Sequence, residues 1–566
     1  MRVRETNAEK TFTVNAVAGS HVVILGMNFK NKSQTKDLRG FAIERTDHTE
    51  GEPPKFLVNF KKFKSQQDKE SSFDNPVQEF VWGDYTAKED HQYTYRVVAL
   101  YGKPGSMRSG AEVSVDVRTE NAAASKHAVY FNRGVGGSQA YATRYNNLPP
   151  DKARAALKAG KLKTKEDPFD WLSRGLFEGL KAFIAQANGS TFSLRASLYE
   201  FRYGPVAEAF AAAAASGADV KIVFDAKDNG SKPGAKKPKK AFPRLDNLAT
   251  IAKAKIKKLV IPREQAKSAI SHNKFIVLRK NGKPVQVWTG STNISEGGIF
   301  GHSNVGHLVR DPKIAADYLR YWEQIATDPT SKVFRPFNDS GFPVPVKYAD
   351  TPVFASVFSP RGSLLALDSY AKRMDKAKMS IFLTAAFGVS RQLSAVLNKP
   401  RKYLRYVLLE KPDDNTTELM KRDPNNRFAV GSLIKDNALE GWVREKLTGL
   451  NDNVKYVHTK YMLIDPLSDD PTVITGSANF SKPSTDTNDE NMLVIRGDTR
   501  VADIYLGEFM RLFHHYEFRQ RLPIKSSAKA AKTFKRPSKF LDETDGWSQR
   551  FWQKGSPRMK ERLLFA

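Results

Sequence analysis

The chain carries one sequence pattern twice, and the two copies are separated by a constant 186 residues. In each copy a His-x-Lys pair opens an apolar run, and a Gly-Ser-x-Asn turn begins 18 residues after the histidine. The repeated positions are His272, Lys274, Gly290, Ser291 and Asn293 in the first copy, and His458, Lys460, Gly476, Ser477 and Asn479 in the second. Several matches in one register indicate an internal duplication. We therefore expect two similar structural halves, each supplying one histidine.

Each copy predicts the same local structure, a strand that leads to a turn. The run after His458 alternates as a strand does, and residues two apart on a strand share a face, so His458 and Lys460 are expected to point the same way. In the first copy Asn281-Gly282 is a strong hairpin signal, which would return the chain and bring the Gly-Ser turn beside the first histidine. One imidazole and one ammonium group would therefore converge in each half.

The motif resembles that of the phospholipase D superfamily. In the second copy it reads His458, Lys460 and, after four intervening residues, Asp465, with the Gly-Ser turn further on. The resemblance covers about residues 126–521. It implies an α/β fold of two repeated units, each a mixed sheet flanked by helices, with both motifs lining one cleft about a pseudo-twofold axis. It also implies hydrolysis or transfer of phosphodiesters in lipids, DNA or RNA, and it does not choose among them.

Two imidazoles and two ammonium groups are suited to phosphodiester cleavage. One imidazole can attack phosphorus to give a phosphohistidine, while the other protonates the leaving oxygen and later activates water. Lys274 and Lys460 would neutralise the non-bridging oxygens. The residues expected to bind or orient the phosphate are Ser291, Asn293, Ser477 and Asn479. Gly290 and Gly476 are small and would let the phosphate approach the backbone. This scheme requires no metal and no other cofactor.

The two copies differ at two places. Arg279 stands in the first copy where Asp465 stands in the second; in relatives that aspartate is supportive, so retained and lost activity both stay open. Downstream, Glu490 offers the sort of carboxylate that orients a motif histidine in relatives, whereas the corresponding run 303–309 contains no acid. The two histidines would then be inequivalent. The resemblance to two-motif relatives favours His272 as the nucleophile and His458 as the acid.

The chain is expected to contain four regions. Residues 1–120 predict a small β-sandwich of short alternating runs, and the runs 41–45 and 93–99 resemble a fibronectin type III module; docking and a spacer role both stay open for it. Residues 126–345 and 350–521 would be the two halves. Residues 522–566 would be a basic, aromatic arm that either binds single-stranded nucleic acid or packs over the catalytic region.

The composition bears on partners and compartment. The chain has 91 Lys and Arg against 61 Asp and Glu, a formal net charge of +30, which favours a polyanionic partner. It has no cysteine, which excludes disulfides and cysteine nucleophiles and fits a reducing compartment. With no apolar run of about 18 residues and no signal core, we expect a cytoplasmic protein without a transmembrane segment. A lysine-rich loop within 227–258 is either a phosphate-gripping flap or a solvated loop.

Three functions follow in order of preference. The first is a metal-independent nuclease on DNA or RNA, because the charge is large and neither a secretion signal nor a membrane segment is visible. The second is a phospholipase D-type hydrolase or transphosphatidylase, for which anionic phospholipid would be the partner. The third is a nucleic-acid-binding protein built on a decayed site, which Arg279 and Val305 suggest.

Overall fold

The computed structural model describes residues 1–121, 125–134, 139–230, 240–265, 269–346, 353–411, 418–419, 422–431, 457–520 and 540–566. These residues form four sheets. Two four-stranded sheets build the N-terminal region, and two seven-stranded sheets build the repeated halves. Within the described ranges, no helix combines the length and the apolar character needed to cross a membrane.

The N-terminal region is a sandwich of two antiparallel sheets. Its strands are β1 (Arg2–Thr6), β2 (Phe12–Ala18), β3 (Val23–Phe29), β4 (Leu38–Asp47), β5 (Glu52–Phe56), β6 (Val81–Asp84), β7 (Gln92–Lys103) and β8 (Ser106–Arg118), with a 3-10 turn at Lys32–Thr35. The orders are β1-β2-β3-β6 and β5-β4-β7-β8, and the inner faces share one core. The sequence pattern does not predict the edge strands β1 and β5, because their side chains are largely exposed and show no apolar alternation. The likeness to a fibronectin type III module stays a prediction.

The first half is a mixed sheet with helices around it. Its strands are β9 (His127–Phe131), β10 (Phe192–Leu198), β11 (Asp219–Asp225), β12 (Val260–Arg263), β13 (Lys274–Lys280), β14 (Lys283–Gly290) and β15 (Val305–Val309). Its helices are α1 (Gln139–Tyr145), α2 (Pro150–Lys158), α3 (Pro168–Ser173), α4 (Leu176–Ala185), α5 (Gly204–Ala215), α6 (Arg244–Lys253), α7 (Pro312–Ile325) and α8 (Ser331–Gly341), with a 3-10 turn at Lys257–Leu259 and a π-helical turn at Gly297–Gly301. The sheet order is β12-β11-β10-β13-β14-β15-β9.

The second half repeats this plan strand for strand. Its strands are β16 (Phe354–Ser359), β17 (Ser380–Ala385), β18 (Leu404–Leu409), β19 (Asn426–Val430), β20 (Tyr461–Ile464), β21 (Thr472–Gly476) and β22 (Glu490–Arg496). Its helices are α9 (Leu365–Asp375), α10 (Arg391–Leu397), α11 (Lys482–Asp486) and α12 (Thr499–Gln520). The sheet order is β19-β18-β17-β20-β21-β22-β16, which corresponds position by position to the first sheet. The predicted two-fold repeated α/β fold is therefore confirmed.

Two local predictions met opposite outcomes. The hairpin at Asn281-Gly282 is confirmed, because both residues have positive φ, 49° and 76°, as a two-residue type I′ turn requires. The apolar spacing of Leu172, Leu176, Leu180 and Ile184 predicts one helix over residues 171–187. This prediction was wrong, since Arg174 and Gly175 take φ of 48° and 87° and separate α3 from α4. The cause is tertiary. The buried Arg174 guanidinium forms an ion pair with Glu508 of the second half at 2.6 Å, a contact that local helical spacing cannot reveal.

The two halves share one hydrophobic core. Helix α7 packs on β14 of its own half and on β16 of the other, and α12 packs on β21 and on β9 in the same reciprocal way. Buried side chains of both sheets and both helices form a single cluster. Helices α1–α6 cover the outer face of the first sheet, and α9 and α10 cover that of the second. This packing brings the ends of β13 and β20 that follow the motif histidines to the junction of the halves.

The C-terminal segment packs against the rest of the chain over residues 540–566, which include α13 (Gly546–Gln549) and α14 (Pro557–Phe565). Trp547 and Phe551 are buried in the core of the N-terminal sandwich, and the Trp547 indole N–H donates to the Leu38 carbonyl at 3.0 Å. Glu561 accepts from the Tyr406 hydroxyl of β18 at 2.9 Å. This segment therefore ties the sandwich to the second half. The cations predicted to bind nucleic acid at 522–539, and the lysine-rich stretch 231–239, lie outside the described residues.

Candidate active site

The two motif histidines lie at the junction, and each is attached to the opposite half through the backbone. The His272 amide donates to the Asp489 carbonyl at 3.0 Å, and the His458 amide donates to the Ser303 carbonyl at 3.2 Å. These contacts are related by the same 186-residue offset. Strands β13 and β20 begin only after the histidines, so the predicted strand is shorter than expected at its start.

His272 is held by a carboxylate from the second half. Its Nδ1 lies 2.9 Å from both carboxylate oxygens of Glu490, and the Ser477 hydroxyl donates to Glu490 Oε2 at 2.7 Å. A carboxylate only accepts, so Nδ1 carries the proton and Nε2 keeps its lone pair. In the described part of the chain, Nε2 has no hydrogen-bond partner. His272 is therefore oriented as a nucleophile would need to be.

His458 is held by an amide from the first half. Its Nδ1 lies 2.8 Å from Asn304 Oδ1, and the Ser291 hydroxyl donates to the same oxygen at 2.8 Å. Asn304 is 186 residues before Glu490, so the serine, the orienting residue and the histidine form one device that occurs twice. Sequence reasoning looked only for an acid in this run and passed over Asn304. The constant offset was the signal that could have found it.

The glycines of the two Gly-Ser turns pack closely against the strands that carry the orienting residues. A Cβ on Gly290 would lie 2.2 Å from the Val305 carbonyl oxygen, and a Cβ on Gly476 would lie 2.2 Å from the Asn491 carbonyl oxygen. Only glycine allows this approach of the neighbouring strand. The structure thus places the glycines against β15 and the start of β22, and the serines against the orienting residues. The motif spacing predicts instead that both face the phosphate.

The two motif lysines are buried beside the histidines. Lys460 Nζ donates to the His458 carbonyl at 2.6 Å, and Lys274 Nζ donates to the His272 carbonyl. Lys274 Nζ also lies 5.1 Å from the centre of the Tyr199 ring, which packs on His272 with a centroid distance of 5.0 Å. Tyr199 follows β10 and was not predicted as a site residue. The lysines and histidines therefore form one compact, electropositive group.

Burial in this group disfavours every positive charge. It lowers the pKa of His272 to about 4, although the Glu490 carboxylate opposes the effect, and it lowers the pKa of Lys274 to about 7. Burial and the neighbouring Lys460 hold the pKa of His458 well below its usual value. Burial and repulsion from Lys274 do the same for the pKa of Lys460. An anion bound here would supply the missing countercharge, so the site is electrostatically suited to a phosphate group.

The two motif asparagines have different surroundings. Asn293 Nδ2 donates to Glu200 Oε1 at 2.7 Å, and Glu200 also accepts from Arg202 at 3.0 Å. Asn479 forms no side-chain hydrogen bond within the described ranges, and its Oδ1 is buried without a donor, so this amide remains available for a ligand. Glu200 follows β10 and has no acidic counterpart after β17, where Ala386 and Phe387 stand. Sequence reasoning missed Glu200 because it lies outside both motifs.

Asp465 lies at the opposite end of β20 from His458. Its carboxylate accepts from the backbone amides of Lys378, Met379 and Ser380 at 2.7 to 2.9 Å. It therefore fixes the start of β17 and does not contact the histidine group. Arg279, at the matching place in the first half, donates to the carbonyl of Gly282 within the hairpin. The asymmetry between Asp465 and Arg279 thus lies away from the candidate site.

Among the described residues, no group of three or more His, Asp or Glu side chains is arranged to hold a metal ion. The groups that converge at the junction are imidazoles, ammonium groups and the carboxylate of Glu490. Their chemistry is that of nucleophilic and acid–base catalysis with cationic stabilisation of an anion.

Comparisons with known proteins place the chain in a family. The family model described as cardiolipin synthase, PLD-like domain, matches residues 180–326 and 372–513, just over half of the chain. No curated protein matches. The structure is similar to phosphatidylserine synthase of Haemophilus influenzae (TM-score 0.41, 10% identity, 69% of this chain and 93% of that one).

Two further solved structures share parts of the fold. Nuc of Salmonella typhimurium, a phospholipase D family member, is 25% identical with a TM-score of 0.20, over 26% of this chain and 84% of that one. Polyphosphate kinase of Porphyromonas gingivalis is 13% identical with a TM-score of 0.36; the match covers 58% of this chain and spans only 46% of the kinase.

The repeated sheets and the paired histidine devices define a duplicated phospholipase D-like unit. With both of its halves matched by the PLD-like family model, the chain belongs to the phospholipase D superfamily.

Proposed function

We propose that this protein is a metal-independent phosphodiesterase that works through a phosphohistidine, and that its substrate is DNA or RNA. The main support for this reaction is that the two imidazoles have different hydrogen-bond acceptors. His272 Nδ1 donates to a carboxylate, and His458 Nδ1 donates to an amide oxygen. A carboxylate stabilises positive charge on an imidazole, whereas a neutral amide does not. The asymmetry supports His272 as the nucleophile and His458 as the acid and base.

In the first step the lone pair of His272 Nε2 forms the N–P bond while the P–O bond to the leaving group breaks. The phosphodiester anion, once bound, supplies the countercharge that His458 lacks, so His458 takes up a proton from solvent at Nε2 and delivers it to the departing oxygen. In the second step His458 removes a proton from water, the water oxygen bonds to phosphorus, and the N–P bond breaks. Lys274 and Lys460 stabilise the non-bridging oxygens, and the Asn479 amide would bind one of them.

Charge supports nucleic acid as the substrate. The formal net charge of +30 attracts polyanions of any sequence and speeds their encounter with the site. Binding through several phosphates would then weaken steeply between about 50 and 200 mM salt.

A lipid substrate is the second candidate, since the matching family model is described as that of a cardiolipin synthase domain. A protein that binds nucleic acid without cleaving it is the third. Arg279, at the position of the motif aspartate, suggests this third function because it could mean a decayed site. That support is weaker in the structure, since Arg279 lies in the hairpin, away from the histidines.

The test is cleavage of labelled single- and double-stranded DNA and RNA in excess EDTA, beside anionic phospholipid vesicles. The wild type should cleave nucleic acid, and His272→Ala should not. With an aryl phosphodiester, whose leaving group departs without a proton, His458→Asn should accumulate a covalent phosphoprotein that is absent from His272→Ala. The matched control is His48→Ala, an exposed histidine of the N-terminal sandwich, which should retain full activity.

Three results would contradict parts of this proposal. Head-group release without nucleic-acid cleavage would move the substrate to lipid. Tight salt-sensitive binding without turnover would leave a binding protein. Full turnover in both histidine variants would contradict the mechanism for any substrate.

A further inference from the structure

A third histidine, His302, stands beside the pair and belongs to neither motif. Its ring packs on the His458 ring with a centroid distance of 4.6 Å and an interplanar angle of 47°. It follows the π-helical turn Gly297–Gly301, and such turns frequently occur at functional sites. The duplication does not explain it, because the matching residue is Asn488, which follows the ordinary helix α11.

The hydrogen bonds of Asn304 determine which nitrogen of His302 carries the proton. Asn304 Nδ2 donates to the Gly298 carbonyl at 2.7 Å, and a carbonyl can only accept, so this bond fixes the orientation of the amide. The same Nδ2 donates to His302 Nδ1 at 2.8 Å. His302 Nδ1 therefore has no hydrogen, and in the neutral ring Nε2 carries it.

His302 is held firmly, with its N–H unused by the protein. Asn132 Nδ2 donates to the carbonyls of Ile299 and His302, both at 2.9 Å, and so clamps the π-helical turn. Among the described residues His302 Nε2 has no hydrogen-bond partner, and this nitrogen is open to solvent. Burial and the nearby Lys460 lower the pKa of His302 to about 3, so the ring stays neutral near pH 7.

We propose that His302 Nε2–H donates a hydrogen bond to the leaving oxygen of the bound phosphodiester. The inference rests on the proposed function, in which His458 protonates that oxygen. Because the His302 ring packs against the His458 ring and both rings contact the Asn304 amide through Nδ1, we infer that an oxygen bound at His458 Nε2 lies within reach of His302 Nε2. His302 would stabilise negative charge as the P–O bond breaks, and its own proton would stay in place. It would favour substrates whose leaving group is a poor one, an alkoxide.

Two substrates separate this role from a structural one. An ordinary phosphodiester releases an alkoxide, which needs stabilisation, whereas bis(p-nitrophenyl) phosphate releases a p-nitrophenolate that departs readily. His302→Phe keeps a ring against His458 and removes the donor. It should lower kcat about 10- to 100-fold on the ordinary phosphodiester and less than about threefold on the aryl ester. His302→Gln, which restores an N–H donor, should recover part of the loss.

The second readout is the breakdown of the phosphoprotein. The leaving group has already departed at that stage, so His302→Phe should slow formation of the phosphohistidine in rapid-quench experiments and leave its hydrolysis unchanged. If the phenylalanine variant does not fold, the glutamine variant and His302→Asn, which is too short to place a donor at the same point, give the same comparison.

The outcomes are distinguishable. Equal losses on both substrates would show a structural role and overturn the inference. No loss on either substrate, in a protein that His272→Ala inactivates, would overturn the inference and leave the proposed function intact. A wild type inactive on every phosphodiester would overturn both.

Discussion

Replacing Lys274 with methionine should stabilise the fold in a pH-dependent way. Lys274 is buried at the junction of the halves, and burial lowers its pKa from 10.5 to about 7. Each pH unit between the two values corresponds to about 1.36 kcal/mol. Keeping this ammonium charged in the folded protein therefore costs about 5 kcal/mol relative to the unfolded chain.

The pH dependence has a definite sign. The folded-state pKa lies below the unfolded-state value, so between them the unfolded chain binds more protons and stability rises with pH. At about pH 6 almost the whole cost is present, and at about pH 9 the folded protein has released the proton while the unfolded chain keeps it. The wild type should thus gain about 2.5 kcal/mol relative to Lys274→Met between these pH values.

Urea unfolding of both proteins at the two pH values, followed by tryptophan fluorescence, measures this difference. Lys280→Met, which removes an exposed lysine from the other end of β13, is the matched control and should show no such change. A difference between wild type and Lys274→Met that is the same at both pH values would refute the reasoning. It would mean that Lys274 keeps its charge in the folded protein at about pH 9, and that burial does not govern its proton.

Four further outcomes are expected. Glu490→Gln should lower kcat about 10- to 100-fold with little change in stability, because the Nδ1 partner of His272 loses its charge; steady-state kinetics beside a melting curve checks both. Gly476→Ala should destabilise the protein by about 1–3 kcal/mol, since its Cβ would meet a carbonyl oxygen at 2.2 Å, whereas Gly204→Ala, with open space around it, should not; urea unfolding compares them, and equal stability would contradict the packing argument. Asp465→Ala should lower the melting temperature and leave kcat intact, because three amides of residues 378–380 lose their acceptor; a large loss of kcat in a stable variant would return Asp465 to the site. The ratio kcat/KM should fall as pH rises through about 7, where Lys274 loses its proton and with it the attraction for phosphate, and Lys274→Arg should move this limb to higher pH if that cation is responsible.

The repeated fold was predictable because the constant offset of a duplication shows which residues of one half correspond to which residues of the other. The offset that relates His272 to His458 also relates every strand from β13 to β15 to a strand of the second half, and the hairpin at Asn281-Gly282 has a turn chemistry that few conformations satisfy. The break at Arg174 was not predictable, since the ion pair with Glu508 that holds it comes from more than 300 residues away. Local spacing carries no information about such a contact.

The candidate site divides in the same way. The motif residues were visible in the sequence, and so was Glu490, but nothing in a linear pattern says that Glu490 serves the histidine of the other half. Asn304 and His302 were invisible for a different reason: neither is acidic, and their roles come from one amide that orients two imidazoles at once. The serines and glycines of the turns were predicted as phosphate ligands because their spacing is regular, whereas the same spacing also meets the needs of strand packing.

The exchange of orienting residues explains why both halves must be present in one site. His272 takes its backbone acceptor and its carboxylate from residues 489 and 490, and His458 takes its acceptor and its amide from residues 303 and 304. Neither half alone fixes the tautomer of its own histidine. Two identical halves would give two identical devices, whereas the mechanism that we propose assigns the nucleophile to one histidine and the acid to the other. By joining the halves in one chain, the protein can keep a glutamate in one device and an asparagine in the other, so the two histidines differ although the fold that holds them is repeated.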